Sequence, residues 1–399
     1  MTKVYVIGTL DTKGAELRYA VERVRAAGAE AVLVDVGTRG EGAGADVSAA
    51  AIAAYNPQGA SAVLGLVDRG QAVSAMAKAL TAWLTARTDI GAVLGLGGSG
   101  NTAIVTEAMR ALPIGTPKLM VSTVASANVA PYVGPNDIAM MYSVVDVAGL
   151  NAISRRVIGN AANAAAGMAL GVVPVAAGDR PGLGMTMFGV TTACVTMVRE
   201  ALEASHEVYT FHATGTGGQS MEKLADSGLV AGLIDVTTTE VADLLIGGIF
   251  PCTEDRFGAV IRTGLPYVGS VGAVDMVNFG ARETVPPKFE GRHFHVHNAQ
   301  VTLMRTAPDE NRRIGEFIVA RLNRMSGPVR FLLPLRGVSA IDAAGQPFHD
   351  PAADAALFDA IRQGWQEAPN RHLVELDHHI NDAAFAAALV ENFRAIAAT

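Results

Sequence analysis

Cysteine is almost missing from this chain: two thiols, Cys194 and Cys252, stand among 399 residues. Two thiols build no disulfide framework, and neither sits in a Cys-x-x-Cys spacing that would mark a structural zinc site. The expected setting is a reducing cytoplasm. Aromatic residues are scarce at 6%, charged residues make up only 17%, and acids outnumber bases to leave a net charge of −7. That balance supplies no basic field for a polyanion, so nucleic acid is not expected as a direct partner. Apolar runs are short and broken by glycine or charge, none reaching the roughly 18 residues that a membrane span needs. Met1-Thr2-Lys3 leads straight into a β-rich run with no basic, then apolar, leader pattern. No membrane association is expected.

What fills the chain instead is Ala, Val, Gly and Leu, with half of all residues hydrophobic. Strands covered by helices on both faces have this composition, because neither face needs polar side chains. The length exceeds the roughly 250–300 residues at which single cores stop growing, so two domains are expected.

The order of elements carries the fold class. Lys3–Thr9 reads as a strand, 11–27 as a helix stopped at Gly28, and Glu30–Val36 as a second buried strand, which is a βαβ unit. Helices follow over 48–54 and 70–87, strands over 91–96, 117–123 and 139–145, and a long helix over 149–170. The stretch 176–182 has linker chemistry, after which strands at about 185–190, 207–212, 233–238, 267–271, 301–305, 329–333 and 372–376 alternate with helical patterns. The expected fold is α/β: two Rossmann-like doubly wound domains with mostly parallel sheets, over residues 1–180 and 181–399.

Chemistry is expected where strands end in polar loops. Gly95-Leu96-Gly97-Gly98-Ser99-Gly100-Asn101-Thr102 follows a strand and opens a helix. Its glycines let backbone N–H groups approach an anion, the helix adds its positive end, and Ser99 and Thr102 add hydroxyls. It is neither a Walker A loop, lacking the Lys-Ser/Thr pair, nor a strict G-x-G-x-x-G. Thr9, Asp11, Thr12 and Lys13 end the first strand, and Ser122-Thr123 end another. Three polar loops on one sheet edge favour a shared ligand, although Asp11 alone would also serve as a helix cap.

In the second half, His212 precedes Thr214-Gly215-Thr216-Gly217-Gly218, which has the ingredients of an anion or oxyanion cradle beside a titratable group. Thr238, Thr239 and Glu240 end a strand in hydroxyls and a carboxylate, with a plain helix start as the alternative for Thr239 and Asp243. His293, His295 and His297 would share one face of an extended run, followed by Asn298 and Arg305. That spacing suits a metal completed by Asp275 or Glu283, an acid/base role for one His, or a structural role. Cys194 precedes a helical run that would lower a thiol pKa, yet free cysteines are commonly buried small hydrophobes. His378-His379 has no partner pattern.

Taken in order, GTLDTKG (8–14), LGLGGSGNT (94–102), LPIGTPKLMVST (112–123), MMYSVVDVAGLN (140–151), FHATGTGG (211–218), DVTTTEVAD (235–243), VDMVNFG (274–280) and HNAQVTLMRT (297–306) resemble the family of the plant tobamovirus-resistance protein and its bacterial relatives. The resemblance runs over essentially the whole chain. It implies an ATP-binding N-terminal domain using magnesium, a second Rossmann-like domain, and a homodimer or higher homo-oligomer. Plant members carry a further C-terminal barrel, which this length does not accommodate. The run 250–256 departs from the small-residue Gly-Pro turn expected before Arg256.

Two functions are then expected. In one, ATP and magnesium sit on Thr9, Asp11, Thr12, Lys13, Gly97, Gly98, Ser99, Gly100, Asn101, Thr102, Ser122 and Thr123 of a metabolic enzyme. In the other, an acid/base hydrolase or C–C bond-cleaving enzyme acts on a small oxo-acid in the second domain, with the N-terminal glycine loop binding a substrate anion. Its catalytic residues are His212, Glu240, His297 and Arg305, and its substrate-binding residues are Thr214, Gly215, Thr216, Gly217, Gly218, Thr238 and Asn298.

Overall fold

The computed structural model describes residues 2–39, 42–174, 176 and 178–397. The chain divides into two compact units, 1–175 and 176–399. Unit 1 runs β1 (Lys3–Gly8), α1 (Leu10–Ala26), β2 (Glu30–Asp35), α2 (Ala49–Ala53), α3 (Ser61–Leu64), α4 (Arg69–Thr85), β3 (Ile90–Gly97), α5 (Ser99–Ala111), β4 (Lys118–Ser122), α6 (Ala130–Val133), β5 (Ala139–Tyr142) and α7 (Ala152–Leu170). Its five strands form a parallel sheet ordered β2-β1-β3-β4-β5. Chain direction across the sheet reverses between β1 and β3, which makes the loops after those two strands the switch point of the fold.

The strands carry alternate apolar residues to both faces. Tyr5, Ile7, Val34, Val93 and Met120 pack under α2, α4 and α5, whereas Val4, Val6, Leu33, Leu94 and Val121 pack under α1 and α7. Small residues set the spacing on the second face: Ala161, Ala162, Ala165 and Ala166 of α7 are fully buried there. Asn151 starts α7, its side chain accepting from the N–H groups of Ile153 and Ser154.

Unit 2 runs β6 (Gly182–Met187), α8 (Thr192–Leu202), β7 (Glu207–His212), α9 (Thr216–Asp226), β8 (Gly232–Thr237), α10 (Glu240–Ile246), α11 (Gly258–Thr263), β9 (Tyr267–Gly272), β10 (Met276–Phe279), β11 (Phe294–Asn298), β12 (Val301–Arg305), α12 (Pro308–Leu322), β13 (Val329–Pro334), α13 (Pro351–Gly364), β14 (Arg371–Leu376) and α14 (Ala383–Ala397). Six strands make a parallel sheet ordered β14-β13-β9-β8-β6-β7. Both units are therefore doubly wound and Rossmann-like.

Two differences from the expected elements have physical reasons. β6 begins at Gly182, where the sequence reads as linker, because its glycines serve close packing and not a turn. A Cβ on Gly184 would lie 2.7 Å from Leu233 and 2.8 Å from Met221. The second is a three-stranded antiparallel sheet, β10-β12-β11, inserted between β9 and β13. Asn278 interrupts the apolar run of β10 and hides it. Among the described residues, no helix is long and apolar enough to cross a membrane.

Candidate ligand-binding site

The switch point of unit 1 is built by two turns that lack ordinary caps. After β3, Gly97 takes φ +157°. A Cβ there would lie 2.9 Å from the Cβ of Asn101, so the close approach of turn and helix requires glycine. Gly98 is then the N-cap of α5, extended and without a side-chain cap hydrogen bond. The opening amides of α5 therefore have no side-chain cap from Gly98. After β1, Thr9 is the N-cap of α1, also without a side-chain cap, and Lys13 leaves helical geometry at φ −128°, ψ 21°.

The loop after β2 is held against these turns by one buried carboxylate. Asp35 accepts from the backbone N–H groups of Leu10 at 3.0 Å, Gly37 at 2.9 Å and Gly42 at 3.2 Å. It therefore latches β2 to the start of α1, and its oxygens are committed inside the protein.

A cavity of about 470 Å³ opens over this edge. Thr9, Asp11, Thr12, Lys13, Gly98, Ser99, Gly100, Asn101 and Thr123 line it, as the sequence predicts for a shared ligand. Thr38, Arg39, Arg69, Val73, Ile104 and Asp146 line it as well, and sequence reading missed them. The remaining expected residues stand behind the wall. Thr102 and Ser122 are fully buried and joined hydroxyl to hydroxyl at 2.6 Å, and Gly97 forms the turn. Ser122 Oγ also accepts from the N–H of Val124 at 3.1 Å. These groups shape the loops and do not line the cavity.

Arg69 opens α4, directly after its Asp68 cap. Its Nη2 lies 3.5 Å from where a Gly100 Cβ would be, so the guanidinium hangs over the mouth of α5. Lys13 and Arg69 form no ion pair among the described residues, nor does Arg39. Three cations and an uncapped helix end thus face one cavity, with Asp11 and Asp146 as its acids.

Unit 2 arranges its expected residues differently. Gly215 and Gly218 donate their N–H groups to Glu240 Oε1 at 2.7 and 3.0 Å. A Cβ on Gly218 would overlap the same carboxylate, and one on Gly217 would overlap the His212 carbonyl. The cradle read as an oxyanion or substrate site is filled by the protein's own anion. Glu240 meets the Arg256 guanidinium at 3.2 Å, which also holds Glu222 at 2.9 Å and Asp235 at 2.8 Å. Burial nonetheless pushes the Glu222 and Glu240 carboxyls above the usual range, the arginine opposing it.

The other catalytic candidates do not join Glu240 in one site. Arg305 is buried, donating to Asp342 at 3.2 Å, Asp354 at 2.7 Å and the Phe348 carbonyl at 2.8 Å, so it offers no free fork to a carboxylate. His297 is exposed on β11, opposite the Val301 end of β12, about 10 Å along the strand from Arg305. His212 is exposed and its ring lies 5.1 Å from that of Phe188. Among the substrate candidates, Thr238 Oγ1 donates to the Ser270 carbonyl at 3.2 Å, Thr214 Oγ1 to the His212 carbonyl at 3.3 Å, and Asn298 Oδ1 accepts from the Gln300 N–H at 2.8 Å. Thr216 is exposed at the start of α9.

The remaining candidates fall the same way. His293 and His295 pack their rings against Phe348, and no group of three His, Cys, Asp or Glu side chains able to hold a metal exists among the described residues. Asp275 accepts from Ser339 Oγ at 2.8 Å. Burial pushes the Cys194 thiol up to about 12, overriding the helix start and removing the thiolate a nucleophile needs.

Residues 2–173 match the N-terminal domain, and residues 180–397 the C-terminal domain, of the group described as "Uncharacterised protein family (UPF0261)". A UPF0261 protein of Rhizobium meliloti is 55% identical over 397 residues, covering 100% of both chains. A UPF0261 protein of Clostridium tetani is 43% identical over 402 residues, covering 98% of this chain and 97% of that one. The ToMV resistance protein Tm-1 of Solanum lycopersicum is 41% identical over 416 residues, covering 98% of this chain but 55% of the tomato protein. With both domains matched and identity at this level over nearly its whole length, the chain belongs to the UPF0261 family, of which the tomato tobamovirus-resistance protein is a homologue.

Proposed function

We propose that unit 1 is a nucleotide site that takes ATP with magnesium. One observation carries the reading: the uncapped N-terminus of α5, at the switch point of the sheet, shares its cavity with Lys13, Arg39 and Arg69. Backbone amides at a helix start and converging cations are what phosphates require. The donor set also fits the metal, since Asp11 and Asp146, which both line the cavity, offer hard oxygen donors and magnesium takes one or two carboxylates while keeping much of its water. Bound there, magnesium would neutralise phosphate charge. Val73, partly exposed, supplies an apolar surface against which a base can lie.

On this reading the protein is a cytoplasmic metabolic enzyme of like subunits whose nucleotide binds in unit 1. The buried, unpaired thiols agree with a reducing compartment. The resemblance supports the assembly, which sedimentation equilibrium would measure.

Gly98→Val is the direct test. At Gly98 the φ is −85° and the nearest atom to an added Cβ is Thr123 Oγ1 at 3.8 Å, so the fold accepts the side chain and the cavity does not. Calorimetric titration of the wild type with Mg-ATP should release or absorb heat. The variant should lose that heat with its melting temperature unchanged. Absence of heat from the wild type at millimolar nucleotide would sink the proposal.

A further inference from the structure

Asn101 raises a question that phosphate binding leaves open. It is the third residue of α5, is 6% exposed and lines the cavity. Its Nδ2 donates to the Leu96 carbonyl at 2.7 Å, which fixes the amide and leaves Oδ1 as the acceptor. That Oδ1 is buried and has no hydrogen-bond partner among the described residues. A buried acceptor left without a donor is costly, so a bound species is expected to satisfy it. Side chains at a helix start lean back toward its mouth, where the free amides are. A phosphate oxygen cannot satisfy Oδ1, because both are acceptors. Water can, and it can turn a lone pair the other way.

Arg69 supplies the complementary half. Its guanidinium stands over Gly100 at the same mouth, is exposed and forms no ion pair among the described residues. Charge that builds on a phosphoryl group in transfer is stabilised by an arginine and amides placed in this way.

From this pairing we infer that the cavity hydrolyses the terminal phosphoanhydride of its nucleotide, with Asn101 holding the attacking water and Arg69 stabilising the transferring group. The inference rests on the nucleotide reading above. The water oxygen bonds to the terminal phosphorus as the bond from that phosphorus to the bridging oxygen breaks. The electron pair leaves on the nucleoside diphosphate, and the proton shed by the water passes to the released phosphate and solvent. Asn101 accepts a hydrogen bond and takes no proton. Neither residue is expected to dominate ground-state affinity.

Phosphate release and Mg-ATP calorimetry on the full chain, run side by side, test this. The wild type should release inorganic phosphate from Mg-ATP over many turnovers. Arg69→Ala, at an exposed position, should lower kcat at least tenfold, a larger factor than the calorimetric affinity it loses as one of three cations in the cavity, and Arg69→Lys should recover part of both losses. Asn101→Ala should lower kcat to a similar extent, with calorimetric binding and melting temperature showing that the site is still formed. Wild-type binding heat without phosphate release beyond that of an Arg69→Ala/Asn101→Ala double variant overturns hydrolysis and leaves the binding reading standing. No heat at all overturns both.

Discussion

At the scale of single residues, the same sequence feature has opposite meanings in the two units. Each unit places a glycine-rich loop between a strand and a helix. In unit 1 the helix amides are free and the loop faces a cavity. In unit 2 Glu240 occupies the amides of Gly215 and Gly218 and ties them to Arg256. The second loop is therefore a structural clasp, with an internal carboxylate where a ligand would otherwise bind. Removing that carboxylate leaves two buried amides without an acceptor, while Arg256 keeps Glu222 and Asp235. Glu240→Ala is expected to destabilise unit 2 by about 1–3 kcal/mol for each amide left unpaired. Glu240→Gln keeps an acceptor for both amides and should cost clearly less. Urea titrations of the two variants give the comparison, and equal losses would show that charge alone matters at this position.

Secondary elements were largely legible because apolar runs of strand length alternate with helical patterns and glycine stops. β1, β7, β12 and β13 lie within a residue or two of their expected bounds at each end. β10 was not legible: four residues long, with the buried Asn278 in its middle, it shows neither alternation nor a clean apolar run. The candidate site was legible only where the chain carries a glycine signature. Thr38, Arg39 and Asp146 come from loops and Arg69 from the first residue of α4; Asp146 lies in the run 140–151, and the signal for the three loop residues is position, since they follow the carboxyl ends of β2 and β5, where ligands of doubly wound sheets gather. Asp35 converts that topology into a site by latching β2 to α1 and to the loop bearing Arg39. Asp35→Ala should leave three amides unpaired, cost roughly 1–3 kcal/mol of stability and weaken Mg-ATP binding although Asp35 touches no ligand. Calorimetry on the folded variant checks this, and wild-type affinity would show that the latch does not position the cavity.

Across the whole molecule, the hydrophobic clusters stay within their own units, so each unit carries its own core. Unit 2 additionally buries acids that its buried arginines, Arg256, Arg305 and Arg371, do not neutralise. Asp243 is one, accepting from the backbone N–H groups of Phe250 at 2.9 Å and Asn278 at 2.8 Å with no cation beside it. Burial outweighs those hydrogen bonds and pushes its carboxyl from the usual range up to about 7. The folded state therefore keeps a proton that the unfolded chain gives up near pH 4. Where the folded state binds more protons, stability falls as pH rises, so Asp243 withdraws stability between about pH 4 and 7 and contributes no further change above that. Over pH 5 to 8 the withdrawal amounts to about 2–3 kcal/mol. Asp243→Asn cannot ionise, and its amide faces an N–H donor, so it starts less stable than the wild type. Its deficit should nevertheless shrink by that amount between pH 5 and pH 8, because only the wild type loses the contribution. Urea midpoints at the two pH values measure the gap. Parallel wild-type and variant curves would place the titration elsewhere in unit 2, among the acids around Arg305.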